Sequence, residues 1–507
     1  MIKKFQAAKD LILKIEKGFP VNNWKLNDIH LWPFIRIQLF FYIIEEQCKV
    51  TNNSGVANEE NTSKEKAVHK IIGAIKKVVK PFYFSYHQLI NFVQYKLWLN
   101  NIKPKFFLFV GHNHHRVDYL GKKYNRFYDP LIEKYKLENE INILEYWCEN
   151  ENTITHQSAS IKYEKGKKYY NGCLALLVKL GKASISNNLQ NDGYASFLKY
   201  LDEQEISIGF STHYKNLSNR YKYLSNYNSF YKDLLNKIKP NYVFTLCYYI
   251  DEIMLLINTA NIKGINTLEM QHGPIAQNHL SYGNWSNIPT KGYNCLPKQY
   301  WCWDETSKLS MDNLVLNSDG FYNAFIGGHP WVNYWQSKIV DLPYSNFVLY
   351  TLQPIFNPQE LFPTEIINII KTEKYKWLIR LHPRQLNEKE SIVKYLVEKE
   401  ILDLVDIETA TNEVLPVLLK NTLVHVTNSS GATLEAAMFN KTTILLDELG
   451  KKYFEDFLNN GKAFYLNPND TLFKDDFLML VDAAKNIIQK PSKNTTDDTI
   501  VNGIFAN

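Results

Sequence analysis

Hydrophobic residues recur at one interval before residue 106 and at another after it. Over residues 1–105 the apolar positions repeat at helical spacing, most clearly in residues 7–16 and 34–46, which predicts a helical N-terminal region. From residue 106 the pattern changes to short continuous apolar runs that end at glycine, histidine or serine, as buried parallel strands do. The chain is therefore expected to begin with helices and to continue as a parallel α/β structure.

Strand-like runs alternate with helix-like segments through the rest of the chain. In the first half, the predicted strands are residues 106–110, 142–146, 242–247 and 265–270. In the second half, they are residues 324–326, 347–351, 377–381, 423–426 and 443–446. Strands that alternate with helices form parallel, doubly wound sheets with right-handed crossovers. The prediction is an α/β fold of two tandem Rossmann-like doubly wound parallel-sheet domains behind an N-terminal helical extension.

This pattern divides the chain into four predicted parts. They are a helical N-terminal region at residues 1–105, a first Rossmann-like domain at 106–300, a second at 301–490 and a C-terminal tail at 491–507. Ligands of open α/β sheets bind beyond the carboxyl ends of the strands. Residues that directly follow a predicted strand are therefore the first candidates for binding and catalysis.

Composition excludes several classes of protein. The 507 residues are 45% hydrophobic and 22% charged, which is ordinary for a globular protein and excludes extensive disorder. The 6 cysteines are scattered without a CxxC pair, so neither a disulfide scaffold nor a zinc cluster is predicted and a reducing cytoplasm is favoured. The formal net charge of +6 does not by itself indicate nucleic-acid binding, but it suits anionic lipids or anionic substrates.

One basic segment raises the question of membrane contact. Residues 64–80 place lysines opposite apolar residues at helical spacing, and aromatic residues follow. Such a helix fits an anionic membrane interface, and it also fits a surface helix that covers the core. No apolar run reaches the roughly 18 residues of a membrane span, and the first residues lack the features of a signal peptide. The expected location is the cytoplasm, with peripheral contact to the inner face of the membrane left open.

The strongest candidate site lies in the second domain. Ser429 and Ser430 directly follow a predicted strand and precede a helix, where hydroxyls and unpaired N–H groups form an anion site suited to phosphate. The alternative is an ordinary helix cap. His382 and Pro383 follow another strand, where the proline fixes the turn and the imidazole can contact a leaving phosphate. Glu413 is a candidate for ribose hydroxyls, or an acidic residue favoured at a helix start.

Candidates in the first domain also follow predicted strands. Asp251 begins a helix after one strand, while Glu269 and His272 lie on the next strand and directly beyond it. A carboxylate or an imidazole can act as general base for an acceptor hydroxyl, although Asp251 can equally be a helix cap. Arg116 and His114 follow the first strand in a histidine-rich stretch that lacks the carboxylates of a metal site. No metal site is predicted.

Four common motifs are absent from the sequence. It contains no Walker loop, no GxGxxG, no DxD at a strand end and no GxSxG. A P-loop ATPase, a dinucleotide-dependent enzyme, a metal-held sugar diphosphate and a serine hydrolase therefore lose their main support.

A strand followed by His382-Pro383, and then a strand followed by Ser429-Ser430, resembles the bacterial CMP-sugar glycosyltransferases of GT-B fold. That group includes sialyl-, polysialyl- and capsule Kdo transferases, and the resemblance extends over residues 106–460. It implies that the His-Pro and Ser-Ser motifs hold the CMP phosphate and that Glu413 holds the ribose. It leaves Arg116, with His114 beside it, for the carboxylate of the sugar. Asp251 is the first choice for base or nucleophile, and His272 and Glu269 are the others.

The resemblance implies transfer of a CMP-activated ulosonic acid, such as Kdo or a sialic-acid-like sugar, to a glycan hydroxyl in capsule, O-antigen or lipopolysaccharide assembly. The partners are then a nucleotide sugar and a lipid-linked or oligosaccharide acceptor, with neither metal nor cofactor nor nucleic acid. The strand end Gln271-His272-Gly273 resembles surface-polysaccharide transferases. Teichoic-acid polymerases that use CDP-glycerol are similar in fold, in a His-Pro, in a Ser pair and in a His-Gly at this strand end, and in that resemblance His272 would be the base. A non-catalytic scaffold of polysaccharide assembly and a UDP-sugar epimerase are the further alternatives.

Overall fold

The structure, a computed structural model, describes most of the chain. The described residues are 2–49, 69–146, 155–157, 160–183, 189–190, 192–204, 217–275, 279–340, 342–354, 356–486 and 496–506. The chain divides into two compact units, the first made of Met1–Gly327 with Asp497–Asn507 and the second of Gly328–Thr496. The polar residues 51–63, whose composition indicates an exposed loop, lie outside the described residues.

A parallel sheet forms the centre of the first unit. Within the ranges given above it has seven strands, which in chain order are β1 (Phe107–His112), β2 (Ile141–Tyr146), β3 (Ser160–Ile161), β4 (Tyr242–Thr245), β5 (Asn266–Met270), β6 (Gln299–Cys302) and β7 (Asn323–Ile326). Every residue of β1 and β2 is buried, because helices cover both faces of a parallel sheet. This burial explains the continuous apolar runs in the sequence.

Helices surround this sheet and precede it. In chain order they are α1 (Ile2–Gly18), α2 (Trp32–Lys49), α3 (His69–Asn101), α4 (Asp129–Tyr135), α5 (Tyr163–Lys179), α6 (Tyr194–Glu203), α7 (Leu217–Ile238), α8 (Asp251–Ile262), α9 (Glu305–Leu309) and α10 (Asp312–Leu316). Trp24, Trp32 and Phe40 share one hydrophobic core with Leu108 and Leu256. The N-terminal helices therefore belong to the first unit, whereas the sequence analysis treated residues 1–105 as a separate region.

The second unit repeats the architecture on a smaller scale. Its parallel sheet has six strands in the described part of the chain, namely β8 (Phe347–Thr351), β9 (Lys376–Arg380), β10 (Val405–Asp406), β11 (Val424–Thr427), β12 (Thr443–Leu445) and β13 (Ala463–Tyr465). The helices are α11 (Pro330–Gln336), α12 (Pro358–Leu361), α13 (Thr364–Ile370), α14 (Lys389–Glu398), α15 (Glu408–Asn412), α16 (Leu415–Asn421), α17 (Ala432–Met438), α18 (Glu448–Tyr453), α19 (Glu455–Asn459) and α20 (Phe473–Asn486).

Both sheets have the same strand order. The first sheet runs β3-β2-β1-β4-β5-β6-β7, and the second runs β10-β9-β8-β11-β12-β13 with one strand fewer at its last edge among the described residues. All neighbouring strands in these two orders are parallel. In each sheet the chain first adds strands on one side of its first strand and then crosses to the other side. This is the doubly wound Rossmann order, and two such units in tandem confirm the predicted GT-B type of fold class. The order changes direction between β1 and β4 and between β8 and β11.

The boundaries of the units differ from those predicted. The sequence analysis ended the first domain at residue 300, but β6 pairs with β5, and β7 pairs with β6, so the first sheet continues to Ile326. The predicted tail returns to the same unit as helix α21 (Asp498–Phe505). Asp497 exchanges hydrogen bonds with Ile326 at 2.7 and 2.8 Å, and Phe505 stacks on Phe244 with ring centroids 5.8 Å apart. Hydrophobic burial of α21 therefore fixes the chain end in the first core.

One charged residue lies inside the apolar part of α2. Arg36 is fully buried, and its Nε lies 2.8 Å from Oε1 of Glu16 in α1. The guanidinium lies 4.0 Å from the ring centroid of Trp285 and donates to backbone carbonyls of Leu280, Gly283 and Asn284. The Glu16 carboxylate also accepts from the indole N–H of Trp32 at 3.0 Å. This buried ion pair joins α1, α2 and residues 280–285.

A histidine is buried in the middle of the second sheet. His425 on β11 has no exposed surface, and its two ring nitrogens lie 2.8 Å from Thr351 Oγ1 and 3.0 Å from Thr443 Oγ1. Burial lowers the pKa of His425 to about 3. His425 is therefore neutral in the folded protein, and its hydrogen bonds connect neighbouring strands of the sheet rather than forming part of a candidate site.

Stability is expected to fall in mild acid because of His425. The unfolded chain binds a proton at this histidine below its ordinary pKa near 6.5, whereas the folded protein binds one only near pH 3. The contribution of His425 to the free energy of unfolding is therefore present above pH 6.5 and is lost as the pH falls. Between about pH 7.5 and about pH 5 this costs about 2 kcal/mol of unfolding free energy. Urea unfolding at the two pH values measures it. His425→Gln removes the titrating group, and its pH dependence is expected to be smaller by that amount; equal dependence in both proteins contradicts the assignment.

Candidate functional site

Three neighbouring strands of the second sheet end at polar residues. The strands β9, β8 and β11 are adjacent, and His382, Gln353 and Ser429 each stand two residues beyond the end of one of them. The gap between β8 and β11 is the point at which the strand order changes direction. Ligands of open α/β sheets bind at this point.

A series of hydrogen bonds connects the three strand ends. The backbone N–H of His382 donates to Gln385 Oε1 at 3.2 Å, and Gln385 Nε2 donates to the backbone carbonyl of Gln353 at 3.0 Å. The side-chain oxygen of Gln353 accepts from the backbone N–H of Ser429 at 2.6 Å and from its hydroxyl at 3.3 Å. We call His382, Gln385, Gln353 and Ser429 the strand-end row. It brings together the His-Pro and Ser-Ser motifs that the sequence singled out.

The tautomer of His382 is set by its own turn. Its Nδ1 accepts a hydrogen bond from the backbone N–H of Arg384 at 3.1 Å, and Pro383 begins the turn. Burial, followed by the charges of Arg384 and Arg380, lowers the pKa of His382 below its ordinary value. A neutral imidazole whose Nδ1 accepts carries its proton on Nε2. His382 therefore presents an N–H donor at neutral pH without needing to be charged.

The two serines have different local roles. Ser430 Oγ accepts from the backbone N–H of Ala432 at 3.2 Å, a local turn contact at the start of α17. Ser429 is instead bound to Gln353 and is only 8% exposed. The alternative of an ordinary helix cap therefore applies in part to Ser430, and it does not apply to Ser429.

Close packing holds the turn that carries Ser429. Gly450 of α18 packs against Asn428, the residue before Ser429, and a Cβ added to Gly450 would overlap the backbone carbonyl oxygen of Asn428. The Asn428 side chain accepts from the Tyr350 hydroxyl at 3.3 Å. The turn is therefore held by a close backbone contact and by a side-chain hydrogen bond.

Gly450→Ala is expected to destabilise this turn. The new methyl group meets backbone rather than a flexible side chain, so α18 or the turn must move, at a cost of about 1–3 kcal/mol. The free energy of urea unfolding measures the loss. Gly431→Ala is the matched control, since an added Cβ at that position meets nothing within 4 Å. Equal stability of the two variants contradicts the expected steric conflict.

Glu413 lies close to the end of β9. Its carboxylate accepts from the backbone N–H of Val414 at 2.8 Å, and its backbone carbonyl accepts from Arg380 Nη1 at 2.5 Å. Arg380 therefore ties the segment after α15 to the strand that leads to His382. The ribose-binding role of Glu413 remains a prediction.

Two base candidates of the first unit, Glu269 and His272, meet at the carboxyl end of β5. Glu269 on β5 is 1% exposed and accepts from Thr245 Oγ1 at 2.7 Å, from the Tyr248 N–H at 3.2 Å and from the Tyr282 hydroxyl at 3.2 Å. His272 Nδ1 lies 3.4 Å from the same carboxylate. These contacts hold the Glu269 carboxylate in place beside His272.

The charge of His272 follows from its neighbours. Burial acts to lower its pKa, but Cys247 and Glu269 outweigh it and raise the pKa to about 10. His272 is therefore expected to be an imidazolium at neutral pH. Its Nε2 lies 2.9 Å from Cys247 Sγ and 3.3 Å from the Tyr249 hydroxyl.

The remaining candidates are placed apart from this contact. Asp251 is the half-buried first residue of α8, and His114 is exposed in the turn after β1. Arg116 is 2% exposed at its side chain, with its Nε 2.5 Å from Glu145 Oε1 and its Nη1 4.0 Å from Asp129 Oδ2. Because Arg116 is engaged by two carboxylates, its placement does not favour the predicted contact with a sugar carboxylate.

Sequence reasoning missed three residues that the structure places at these sites. Gln353, Gln385 and Cys247 are the missed residues. Gln353 and Cys247 each stand two residues beyond a strand, as His382, Ser429 and His272 do. That shared offset was the available signal. Cys247 was hidden because the predicted strand extended over it.

The described residues include neither a metal centre nor a membrane-spanning helix. No group of three or more His, Cys, Asp or Glu side chains among them is arranged to hold a metal ion. None of the described helices is long and apolar enough to cross a membrane. On α3, Tyr86, Leu89, Val93 and Leu97 are exposed at helical spacing. Residues 64–68 and the side chains of 69–84, on which the membrane prediction rested, lie outside the described residues.

Comparison with known proteins finds similarity only at the level of structure. No family model and no curated protein matches the chain. Similar solved structures include a UDP-GlcNAc 2-epimerase from Neisseria meningitidis bound to UDP-GlcNAc, at 15% identity and TM-score 0.44, covering 79% of this chain and 99% of that one. The S. aureus MnaA–UDP structure matches at 13% identity and TM-score 0.44, covering 79% and 96%. Medicago truncatula UGT71G1 with UDP-glucose matches at 11% identity and TM-score 0.37, covering 79% and 98%. Likeness at this level assigns no activity to the chain.

Proposed function

We propose that the protein is a metal-independent glycosyltransferase that transfers a CMP-activated ulosonic acid, of Kdo or sialic-acid type, to a glycan hydroxyl. The observation that carries the proposal is the strand-end row, in which His382, Gln353 and Ser429 are held together where an open α/β sheet binds ligands. The choice of CMP rests on the His-Pro and Ser-Ser motifs at two of these strand ends.

The second unit would stabilise the leaving nucleotide. Negative charge grows on the phosphate as the bond to the sugar breaks, and donors already fixed in place favour that charge without a metal. His382 supplies its Nε2–H and Ser430 its hydroxyl, and Ser429 supplies its hydroxyl by exchanging Gln353 for the phosphate. Glu413 is proposed to hold the ribose hydroxyls. A nucleoside monophosphate develops less charge than a diphosphate, which suits neutral donors.

The first unit would activate the acceptor. At neutral pH His272 is protonated through its contacts with Cys247 and Glu269, so it serves as a donor and a cation rather than as a base. Asp251 is then proposed to take the proton from the acceptor hydroxyl as it attacks the oxocarbenium-like sugar.

Nucleotide binding tests the donor assignment. Calorimetry with CMP, CDP, UDP and GDP at equal concentration is expected to show binding of CMP in preference to the others. Release of free CMP from CMP-Kdo or a CMP-sialic acid in the presence of a glycan acceptor then tests the reaction. Preference for UDP or GDP overturns the donor, and absence of any nucleotide binding supports the alternative of a non-catalytic scaffold.

A CDP-glycerol-type phosphotransfer is the second candidate. The observation that favours it is the fixed turn after β5, where Gln271 accepts from the Trp303 N–H at 2.7 Å and donates to the Gly273 carbonyl at 3.0 Å, presenting His272 between them. This reaction leaves phosphate in the product, whereas sugar transfer leaves none. Phosphorus analysis of the purified product separates the two.

The acceptor is proposed to be lipid-linked or an oligosaccharide, with the protein in the cytoplasm and in peripheral contact with the membrane. The exposed face of α3, formed by Tyr86, Leu89, Val93 and Leu97, supports this contact. Sedimentation with vesicles of phosphatidylglycerol, compared with phosphatidylcholine, tests it. Equal recovery in the supernatant with both lipids contradicts membrane contact.

A further inference from the structure

A thiol, an imidazole and a carboxylate form a line in the first unit. Cys247 Sγ lies 2.9 Å from His272 Nε2, and His272 Nδ1 lies 3.4 Å from Glu269 Oε1. The imidazole thus contacts the thiol through one ring nitrogen and the carboxylate through the other. This is the general arrangement by which proteins activate a thiol.

The backbone places the thiol at the head of this line. Cys247 lies between β4 and α8 and has a φ of 61°, in the left-handed region that a residue with a side chain seldom adopts. Such a strand-to-helix turn exposes a nucleophile at the carboxyl edge of a sheet. Cys247 and His272 stand at equivalent offsets beyond the adjacent strands β4 and β5, which explains their contact.

Other cysteines of the chain have a different environment. Among the described cysteine side chains, Cys173, Cys295 and Cys302 are buried, and burial raises the pKa of each thiol above its ordinary value. Cys247 is half-buried and faces a cation. The side chains that carry charge or titrate around it are His272, Glu269, Tyr249, Tyr146, Tyr128 and Tyr282.

We propose that Cys247, His272 and Glu269 form an activated-thiol site that reacts covalently with small soft electrophiles, peroxide among them. The proposal does not depend on the proposed transfer reaction, because it concerns the reactivity of the protein alone. With hydrogen peroxide the thiolate sulfur attacks one oxygen, the S–O bond forms and the O–O bond breaks. The departing hydroxide takes the proton from His272 Nε2 and leaves as water. Sulfur is oxidised by two electrons to sulfenic acid, and peroxide is reduced by the same two.

Alkylation of the full-length protein tests the site. Iodoacetamide is added at neutral pH, and each cysteine-containing peptide is quantified over time by mass spectrometry. Cys247 is expected to react at least about tenfold faster than Cys173, Cys295 and Cys302 in the same sample, and His272→Gln is expected to slow it at least about tenfold. His425→Gln, a buried histidine of the second unit, is the matched control and is expected to leave the rate unchanged.

Two further measurements keep the test independent of variant folding. In wild type, Cys247 is expected to be alkylated faster at neutral pH than a free cysteine peptide under the same conditions. Treatment with peroxide followed by dimedone is expected to label Cys247 as a sulfenic acid. A rate equal to that of a free cysteine peptide, or one that His272→Gln leaves unchanged, overturns the proposal. A missing transferase activity would overturn only the proposed function, since these readouts need no sugar substrate.

Discussion

Nucleotide affinity is expected to fall at least about a hundredfold when Ser429 and Ser430 are both replaced by alanine. A hydrogen bond to a charged phosphate contributes about 1.5–3 kcal/mol, and the double variant removes two donors together. Ser429 also binds Gln353, which links it to the turn of Gln385 and His382, so its loss loosens the strand-end row as well. Calorimetric titration with CMP measures the change.

The control for this variant is an exposed serine of the same unit that takes no part in the strand-end row. Ser391 is exposed in α14 and donates to the Glu388 carbonyl at 2.7 Å, so Ser391→Ala is expected to bind CMP like wild type. His382→Ala tests the opposite end of the row and is expected to weaken binding by a smaller factor, since it removes one donor. Unchanged affinity in the double serine variant would exclude this edge of the sheet as the nucleotide site.

The largest loss of stability is expected from Arg36→Met. Both side chains of the Arg36–Glu16 pair are 0% exposed, so the substitution leaves a carboxylate buried without its cation. Removing one partner of such a pair costs about 3–5 kcal/mol, because the remaining charge has lost its compensation. The free energy of urea unfolding measures the effect.

An exposed pair provides the comparison for Arg36→Met. Lys371 and Glu400 lie 3.3 Å apart with side chains 41% and 84% exposed, and Lys371→Met is expected to cost at most about 1 kcal/mol. The double substitution Glu16→Leu with Arg36→Met removes both charges and is expected to recover much of the loss. If the double variant is as unstable as Arg36→Met, packing around Trp285 rather than the unpaired charge determines the cost.

Sequence pattern alone located most of the strands and several residues of the candidate sites. Residues 347–351 were predicted as a strand and are β8, because a buried parallel strand is apolar at every position. His382 and Ser429 were singled out because they follow such strands. The same logic failed for β6, whose sequence Gln-Tyr-Trp-Cys closely follows Pro297 and carries a polar first residue.

Contacts across the sheet could not be derived in the same way. Gln353 is an ordinary glutamine until the strand order places β8 between β9 and β11, and only then does it reach Ser429. Arg36 lies within an apolar helix, and its partner Glu16 belongs to another helix, so the sequence alone does not reveal the pair. Spacing along the chain reports local periodicity, whereas pairs of this kind depend on which elements become neighbours.

The return of helix α21 to the first unit has a consequence for synthesis on the ribosome. Residues 328–496 form a self-contained segment, and an added Cβ on Gly328 would lie 3.2 Å from Thr496 Cγ2, so the two ends of that segment meet. The ribosome releases all of these residues before Phe505, which stacks on Phe244 in the first core. Domains fold as units while the chain emerges. The hydrophobic core of the second unit can therefore form first, and the core of the first unit is completed only after Phe505 has emerged.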